Sequence, residues 1–432
     1  VNLTRFPLFF PEKRAFFLEG SNQFVFGLGL ETDFIPFYSR RVGLFDGRPV
    51  PILAGAKILG RAGGLGLALL DVESAEAEGA QRTNSAAGRV TYDVDEHLRV
   101  GGIATRGEPS GARANTLGGV DAVWRTSRLF GDKDFAVGLW GARSWGDVGD
   151  GKHGGWGFKV AYPNDLWDVS LRYQEFGDSL APGIGFLPRP GTRAYLPGLA
   201  YQPRPSKDGA LAPVRQLFFE LYPTVVTDLS GRVESWRVFM APVNVRLESG
   251  DRFELNWAPQ YERLDARFEI SPGVVIPAGA YRFDRFRIEV QSSEHRPFRV
   301  GETVWLGTFY TGHLAETDIY ANWTSSRGAI SVGVEAIDDF ARLPQGSFVA
   351  RVWQLRGVLA FSPDLQVSTY LQYDSESRNV GANTRLRWTI RPGTDLFVVW
   401  NRDAYEPRDG TGIRLRPVDE EIVVKLRATV WP

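Results

Sequence analysis

The sequence predicts an all-β fold, an antiparallel transmembrane β-barrel of about 22 strands (range about 20–24), on three observations. Apolar and polar residues alternate with period two through most of the 432-residue chain. No stretch carries apolar residues at i, i+3, i+4 and i+7 over three turns, so amphipathic helices are not expected. The connections between the alternating segments are by turns tight and long, the pattern of a barrel with short periplasmic turns and long external loops.

In chain order, residues 1–32 are the exception to the alternation. In "VNLTRFPLFFPEKRAFFLEGSNQFVFGLGLET", Phe9, Phe10, Phe16 and Phe17 bracket a charged knot of Glu12, Lys13 and Arg14. A barrel of this size has a lumen too wide for wall side chains to fill. The segment reads either as a linker or poorly patterned first strand, or as a plug folded into or across the lumen mouth with its charges paired to the polar wall. Residues 33–43, "DFIPFYSRRVG", are predicted as a strand, and about 21 more follow from Val50, so 33–432 is the barrel domain. An even total places both chain ends on the periplasmic side.

The strands that follow are about 9 to 12 residues long, the length that crosses a bilayer at a tilt of about 45°. In "LWDVSLRYQ", Trp167, Val169, Leu171 and Tyr173 oppose Asp168, Ser170, Arg172 and Gln174. In "DRFELNWAPQYER", Phe253, Leu255, Trp257, Pro259 and Tyr261 oppose Arg252, Glu254, Asn256, Gln260 and Glu262. "DLQVSTYLQYDS" sets Leu365, Val367, Thr369, Leu371 and Tyr373 against Gln366, Ser368, Tyr370, Gln372 and Asp374. "GANTRLRWTI" and the terminal "EEIVVKLRATVWP" repeat the pattern, the latter with Trp431 placed for an interfacial aromatic girdle. Tight turns are expected at 62–64, 93–96, 163–165, 249–251, 326–328, 362–364 and 391–394. Longer loops are expected at 76–85, 147–153, 178–193, 271–279, 340–346 and 406–419, and the stretch 203–213 is long where a tight turn is due.

Composition narrows the function. Net charge is −1, so nucleic acid is not a partner; there is no cysteine, so disulfides and thiolate sites are excluded. Mean hydropathy is −0.20, which is compatible with a membrane barrel because half of each strand is polar. No run reaches the roughly 18 apolar residues of a membrane helix. The chain begins at Val1 without a signal peptide and reads as a mature or trimmed fragment.

The polar face carries the candidate lumen-lining residues Arg246, Glu254, Arg285, Arg287, Glu289, Arg356, Arg385, Arg387, Lys425 and Arg427. A charge facing lipid at mid-depth costs about 2–4 kcal/mol, which directs these side chains inward. They read either as a basic stripe that selects anionic or hydroxyl-rich solutes, or as a wall of mutually compensating ion pairs.

Four blocks carry a resemblance: "RFPLFFPEKRAFFLEGSNQF", "PFYSRRVGL", "VPILAGAKILGRAGGLGLALLDVES" and, near the end, "NTRLRWTIRPGTDLFVVWN". They resemble the C-terminal barrel region of a bacterial family catalogued as domain of unknown function 5916. The resemblance implies an outer-membrane location and no established activity. It also implies an upstream domain similar to family-nine carbohydrate-binding modules, which this chain does not include.

Enzymatic and cofactor motifs are weak. "GDVGDGKHGGWG" contains Gly149-x-Gly151-x-x-Gly154 and nearly matches a phosphate loop, but both flanks read as strands, where those motifs need a helix. Asp147 and Asp150 are too few for a Ca²⁺ site. His97, His153, His295 and His313 are scattered without metal-ligand spacing, and no Ser or Asp lies in a nucleophile motif. No cofactor, metal or catalytic residue is expected, with a barrel-borne hydrolase as the lesser alternative. The functional expectation is an outer-membrane channel or transporter for a polar solute such as carbohydrate or peptide fragments, with lipid and lipopolysaccharide around it. The alternatives are a non-conducting plugged barrel that anchors an upstream periplasmic domain or partner assembly, and a soluble carbohydrate-active β-protein.

Overall fold

A computed structural model describes residues 2–405 and 415–429. Period-two alternation becomes one large antiparallel sheet. Ahead of it, a short pair, β1 (Leu44–Phe45) and β2 (Arg48–Pro49), ends the N-terminal segment. The sheet then runs through β3 (Ile52–Ala62), β4 (Leu65–Ser74), β5 (Thr83–Asp93), β6 (Leu98–Arg106), β7 (Asn115–Leu129), β8 (Lys133–Gly146) and β9 (Gly154–Pro163). It continues through β10 (Trp167–Phe176), β11 (Thr192–Tyr201), β12 (Val214–Asp228), β13 (Val233–Leu247) and β14 (Arg252–Leu264). A separate hairpin, β15 (Phe268–Ser271) and β16 (Val274–Ile276), occupies the next loop. The sheet resumes with β17 (Gly279–Gln291), β18 (Phe298–Phe309), β19 (Gly312–Thr324), β20 (Ile330–Leu343) and β21 (Gly346–Ala360). It ends with β22 (Leu365–Asp374), β23 (Asn379–Arg391), β24 (Thr394–Tyr405) and β25 (Arg416–Ala428).

These 21 strands pair in chain order, each with its sequence neighbour in the sheet. The cyclic order sets β25 beside β3, but no register of paired residues joins the two, unlike every other neighbouring pair. Outward Ile422, Val424 and Leu426 on β25 are 63–67% exposed. Among the described residues no helix is long and apolar enough to cross a membrane.

The register keeps one set of side chains on one face throughout. Starting at Glu254, the pairs Glu254–Glu289, Arg287–Trp305, Trp305–Glu316, Glu316–Asp339 and Asp339–Ala350 stay on that face. Arg356–Tyr370, Tyr370–Asn383, Arg387–Phe397 and Phe397–Lys425 carry it to the last strand. The opposite face presents Trp167, Leu171, Leu199, Leu255, Trp257, Ile288, Val300, Leu355 and their like to the outside. It is a continuous apolar surface rather than scattered exposed residues.

The tight turns fall at one end of the sheet, at 63–64, 94–97, 164–166, 248–251, 325–329, 361–364 and 392–393, as the alternation predicts. Gly63 and Gly393 adopt positive φ (57° and 82°), which a two-residue hairpin requires. The connection at 202–213 is long at this end, also as read. At the other end the loops 75–82, 147–153, 177–191 and 265–278 are long. The expected loop at 340–346 is instead a two-residue turn between Leu343 and Gly346, because β20 and β21 pair to their tips. Most of the expected 406–419 loop, and Trp431, lie outside the described residues.

Two expectations at the N-terminal end are corrected. Residues 33–43 are not a strand of the sheet: they hold one isolated bridge, Ile35 to Phe186, and a 3-10 turn at Ser39–Arg41. Phe34 and Phe37 pack against buried side chains of the sheet's polar-residue face, so the local alternation served a packed coil instead of a ladder. Among the described residues the sheet therefore has 21 strands, within the expected 20–24, but the count is odd where an even one was expected.

The sheet is curved around that segment. Arg5 reaches Glu262 on β14, and Lys57 on β3 donates to the carbonyl of Phe16. Eleven Cα–Cα steps separate Arg5 from Phe16 and span at most ~40 Å, against ~53 Å for the eleven strand spacings between β3 and β14. With the cyclic strand order, these contacts across the polar-residue face make it the concave one.

Candidate functional site: the inner face and the segment that covers it

Residues 2–42 lie on the concave face. Phe17 and Phe24 are buried with Val42, Ala68, Leu70, Val72 and Ala87. Phe26, Leu30 and Phe34 are buried with Ile103, Leu117, Trp140, Ala142, Phe176 and Leu180. Leu3 packs on a third cluster around Phe283, Phe309 and Leu314. Residues 2–32 thus pack against the polar face, and the covering segment runs on to residue 42.

The charged knot does not pair with the wall as expected. The Glu12 carboxylate accepts the backbone N–H groups of Lys13 and Arg14 at 2.8 and 2.9 Å, the Arg14 guanidinium at 2.7 and 2.9 Å, and the Ser39 hydroxyl at 2.8 Å. Arg14 also donates to the carbonyls of Ser39 and Val42 at 2.8 and 2.7 Å and covers the Phe17 ring at 4.2 Å. Partners two residues apart or on the next coil are reached with less ordering of long side chains than the wall would need. Burial would raise the Glu12 carboxyl, but the hydrogen bonds from Arg14 and Ser39 outweigh it and bring it down to about 2. Phe9 packs on Tyr38 and Phe186 at 5.2 and 5.8 Å, and the Tyr38 hydroxyl donates to the carbonyl of Phe10. Phe10 lies under Arg40, Phe16 meets Phe17 edge-on at 5.1 Å, and Lys13 is exposed.

Other residues make the ties to the wall. Arg89 on β5 grips Asp121 on β7 through two hydrogen bonds of 2.5 and 2.8 Å, and Asp121 also accepts the Gly27 N–H at 3.1 Å. Arg172 on β10 pairs with Asp33 at 3.0 Å, and Gln174 donates to the same carboxylate at 3.0 Å. Arg5 pairs with Glu262 at 3.0 Å and with Glu234 at 3.6 Å. The loop 177–191, expected to extend outward, folds in: the Tyr38 N–H donates to the Ile184 carbonyl at 2.8 Å, and Ile184 is fully buried. One sequence signal for this packing was present. Wall glycines face the segment, and a Cβ on Gly138 would lie 2.4 Å from the Cβ of Leu28.

The lumen-lining candidates all fall on the inner face, in two groups of different chemistry. In the first, Arg287 bonds Glu254, lies 3.2 Å from Glu289 and donates to Asn256 at 2.8 Å. Arg252 joins Glu254 at 3.2 Å, Arg285 pairs with Glu316 at 2.5 Å, and Arg246 covers Phe218 at 5.5 Å. Arg246 apart, this group is the compensated wall. In the second, Arg356 reaches Glu335 at 3.4 Å, whereas Arg385, Arg387, Lys425 and Arg427 make no ion pair among the described residues.

Burial separates the same two regions. Among the described residues beyond Leu343 only Ala350 and Ala404 are buried, so the described residues leave the inner face of β21–β25 uncovered. A cavity of about 320 Å³ opens there, lined by Tyr370, Gln372, Asp374, Asn383, Asn401 and Asp403 among others. The Gly149–Gly154 stretch is the turn between β8 and β9 and meets no helix; its Lys152 N–H donates to Asp178 at 2.7 Å. His97 and His295 fall in turns, and His313 is paired within β19. No protein-family model matches the chain, and no curated protein matches it.

Proposed function

We propose that this chain is an outer-membrane β-barrel that passes a polar solute and is narrowed by its own N-terminal segment. The observation that carries the reading is the division of faces: the convex side of a 21-strand sheet is apolar, and the concave side is polar and partly covered by residues 2–42. Hydrocarbon is the solvent that suits the first, and water the second. Outer-membrane lipid and lipopolysaccharide are then its surroundings. In hydrocarbon, the free edges of β3 and β25 would leave a row of unsatisfied N–H and C=O groups, each costing several kcal/mol, so the two edges pair in the membrane.

The test is planar-bilayer conductance of the detergent-purified chain and of a variant without residues 2–32. A small current that rises on deletion supports the channel. A protein that stays monomeric in plain buffer refutes the membrane assignment. The second reading, a plugged barrel that anchors an upstream domain or partner, draws on the dense packing of Phe17, Phe26 and Phe34. No current from either protein selects it.

A further inference from the structure

We infer that the uncovered strip of the inner face forms an anion-binding lane whose ligand groups are Arg385, Arg387, Lys425 and Arg427. The inference rests on the proposed reading of that face as water-filled and adds the class of solute. Of the first group, Arg285 and Arg287 each have a carboxylate partner, and Arg246 covers the Phe218 ring. The four on β23 and β25 have none within 4.0 Å among the described residues, and no unassigned partner either.

The register gathers them. Arg387 and Lys425 both stand opposite Phe397, Arg385 stands opposite Val399, and Arg427 stands opposite Asp395. The single carboxylate in this band, Asp395, accepts the Thr389 hydroxyl at 2.6 Å and makes no ion pair within 4.0 Å among the described residues. Four cations and one carboxylate leave a net +3 at the tight-turn end of the lane. The Arg385 guanidinium lies 4.4 Å from the Phe397 ring centre. Stacking of this kind holds the guanidinium plane and leaves its N–H edge for a ligand. Nε of Arg387 is buried without a hydrogen-bond partner.

Toward the loop end the lane carries Asp374, Asp403 and Glu421, with Tyr370, Asn383 and Asn401 between the two charge bands. The resulting field concentrates anions at the four bases, at the tight-turn mouth, and cations at the acidic band toward the loops. The ligand is a small organic or inorganic oxyanion, a carboxylate or a phosphate, that meets guanidinium groups through paired oxygens.

Two measurements on the full chain test this. The reversal potential in a KCl gradient is expected to be anion-selective and to move toward cation selectivity in the R385Q/R387Q/K425Q variant. Calorimetric titration of the detergent-purified protein with citrate, and separately with inorganic phosphate, is expected to give binding that weakens at least tenfold in that variant and by less in R385K/R387K, which keeps the charge but loses the paired guanidinium N–H edge. The citrate and phosphate arms separate carboxylate from phosphate recognition. Variant-sensitive titration without current leaves the site standing and removes the channel. Current with cation selectivity, or binding that is absent or equal in the two proteins, overturns the site and leaves the channel.

Discussion

Replacing Phe34 by alanine is the sharpest probe of how the N-terminal segment is held. Phe34 is 1% exposed and meets Trp140, Phe176 and Phe26 at ring-centre distances of 5.4, 5.7 and 6.3 Å. Truncation removes those contacts and leaves a cavity between the segment and β8–β10. Such changes cost about 3–5 kcal/mol in a packed core. Because the sheet is held by its own ladders, the loss falls on docking of the segment. At tenfold per ~1.4 kcal/mol, local opening should increase roughly a hundred- to several-thousand-fold. The assay is hydrogen exchange in the detergent-purified full chain, read at the amides of Asp33 and Ile35, which donate to Leu30 and Phe186 at 2.9 Å each. A Leu69→Ala variant on the outer face is the control and should leave these amides protected. If protection in Phe34→Ala falls less than tenfold, the aromatic cluster does not hold the segment and the plug argument fails.

Asp121→Asn leaves the Arg89 guanidinium, 3% exposed, without its carboxylate, a change that costs about 3–5 kcal/mol; faster exchange of the Gly27 amide is the readout. The Glu12 carboxyl is held at about 2 against an ordinary 4.5, so its contribution to the 10–14 knot is complete above pH 4.5 and is lost as pH falls toward 2. Exchange at residues 12–14 should rise over that interval, and Glu12→Gln should abolish the dependence. Leu255→Arg, in mid-strand on the outer face, should lower folding stability in lipid by about 2–4 kcal/mol, measured by denaturant titration in vesicles, and little change would argue against lipid contact. Cysteine pairs placed along Ile52–Ala62 and Arg416–Ala428, in a chain that otherwise has none, should cross-link in the membrane; failure of every pair would refute pairing of the two edges.

The wall was legible and its contents were not. Alternation in "DRFELNWAPQYER" and "DLQVSTYLQYDS" put each side chain on the face where the register places it, because a period of two leaves no third choice. The tight turns were marked by Gly, Pro, Asp and Ser for the same local reason. The segment 33–43 misled because a short alternating run also suits a coil packed against a wall. Arg89, Asp121 and Arg172 were passed over because their partners are 32 residues away or more, and spacing carries no information at that range.

Local chemistry along the chain thus decided that the molecule is a sheet, which side of it is apolar, and where it turns back. It left open which inner-face charges are satisfied. That depends on which strands the first forty-odd residues reach and on the loop 177–191 folding in rather than out. Ion pairing falls off within a few ångströms, so Arg287 and Arg387, alike as alternating residues, become a wall brace and a free cation only when the curved sheet sets their neighbours.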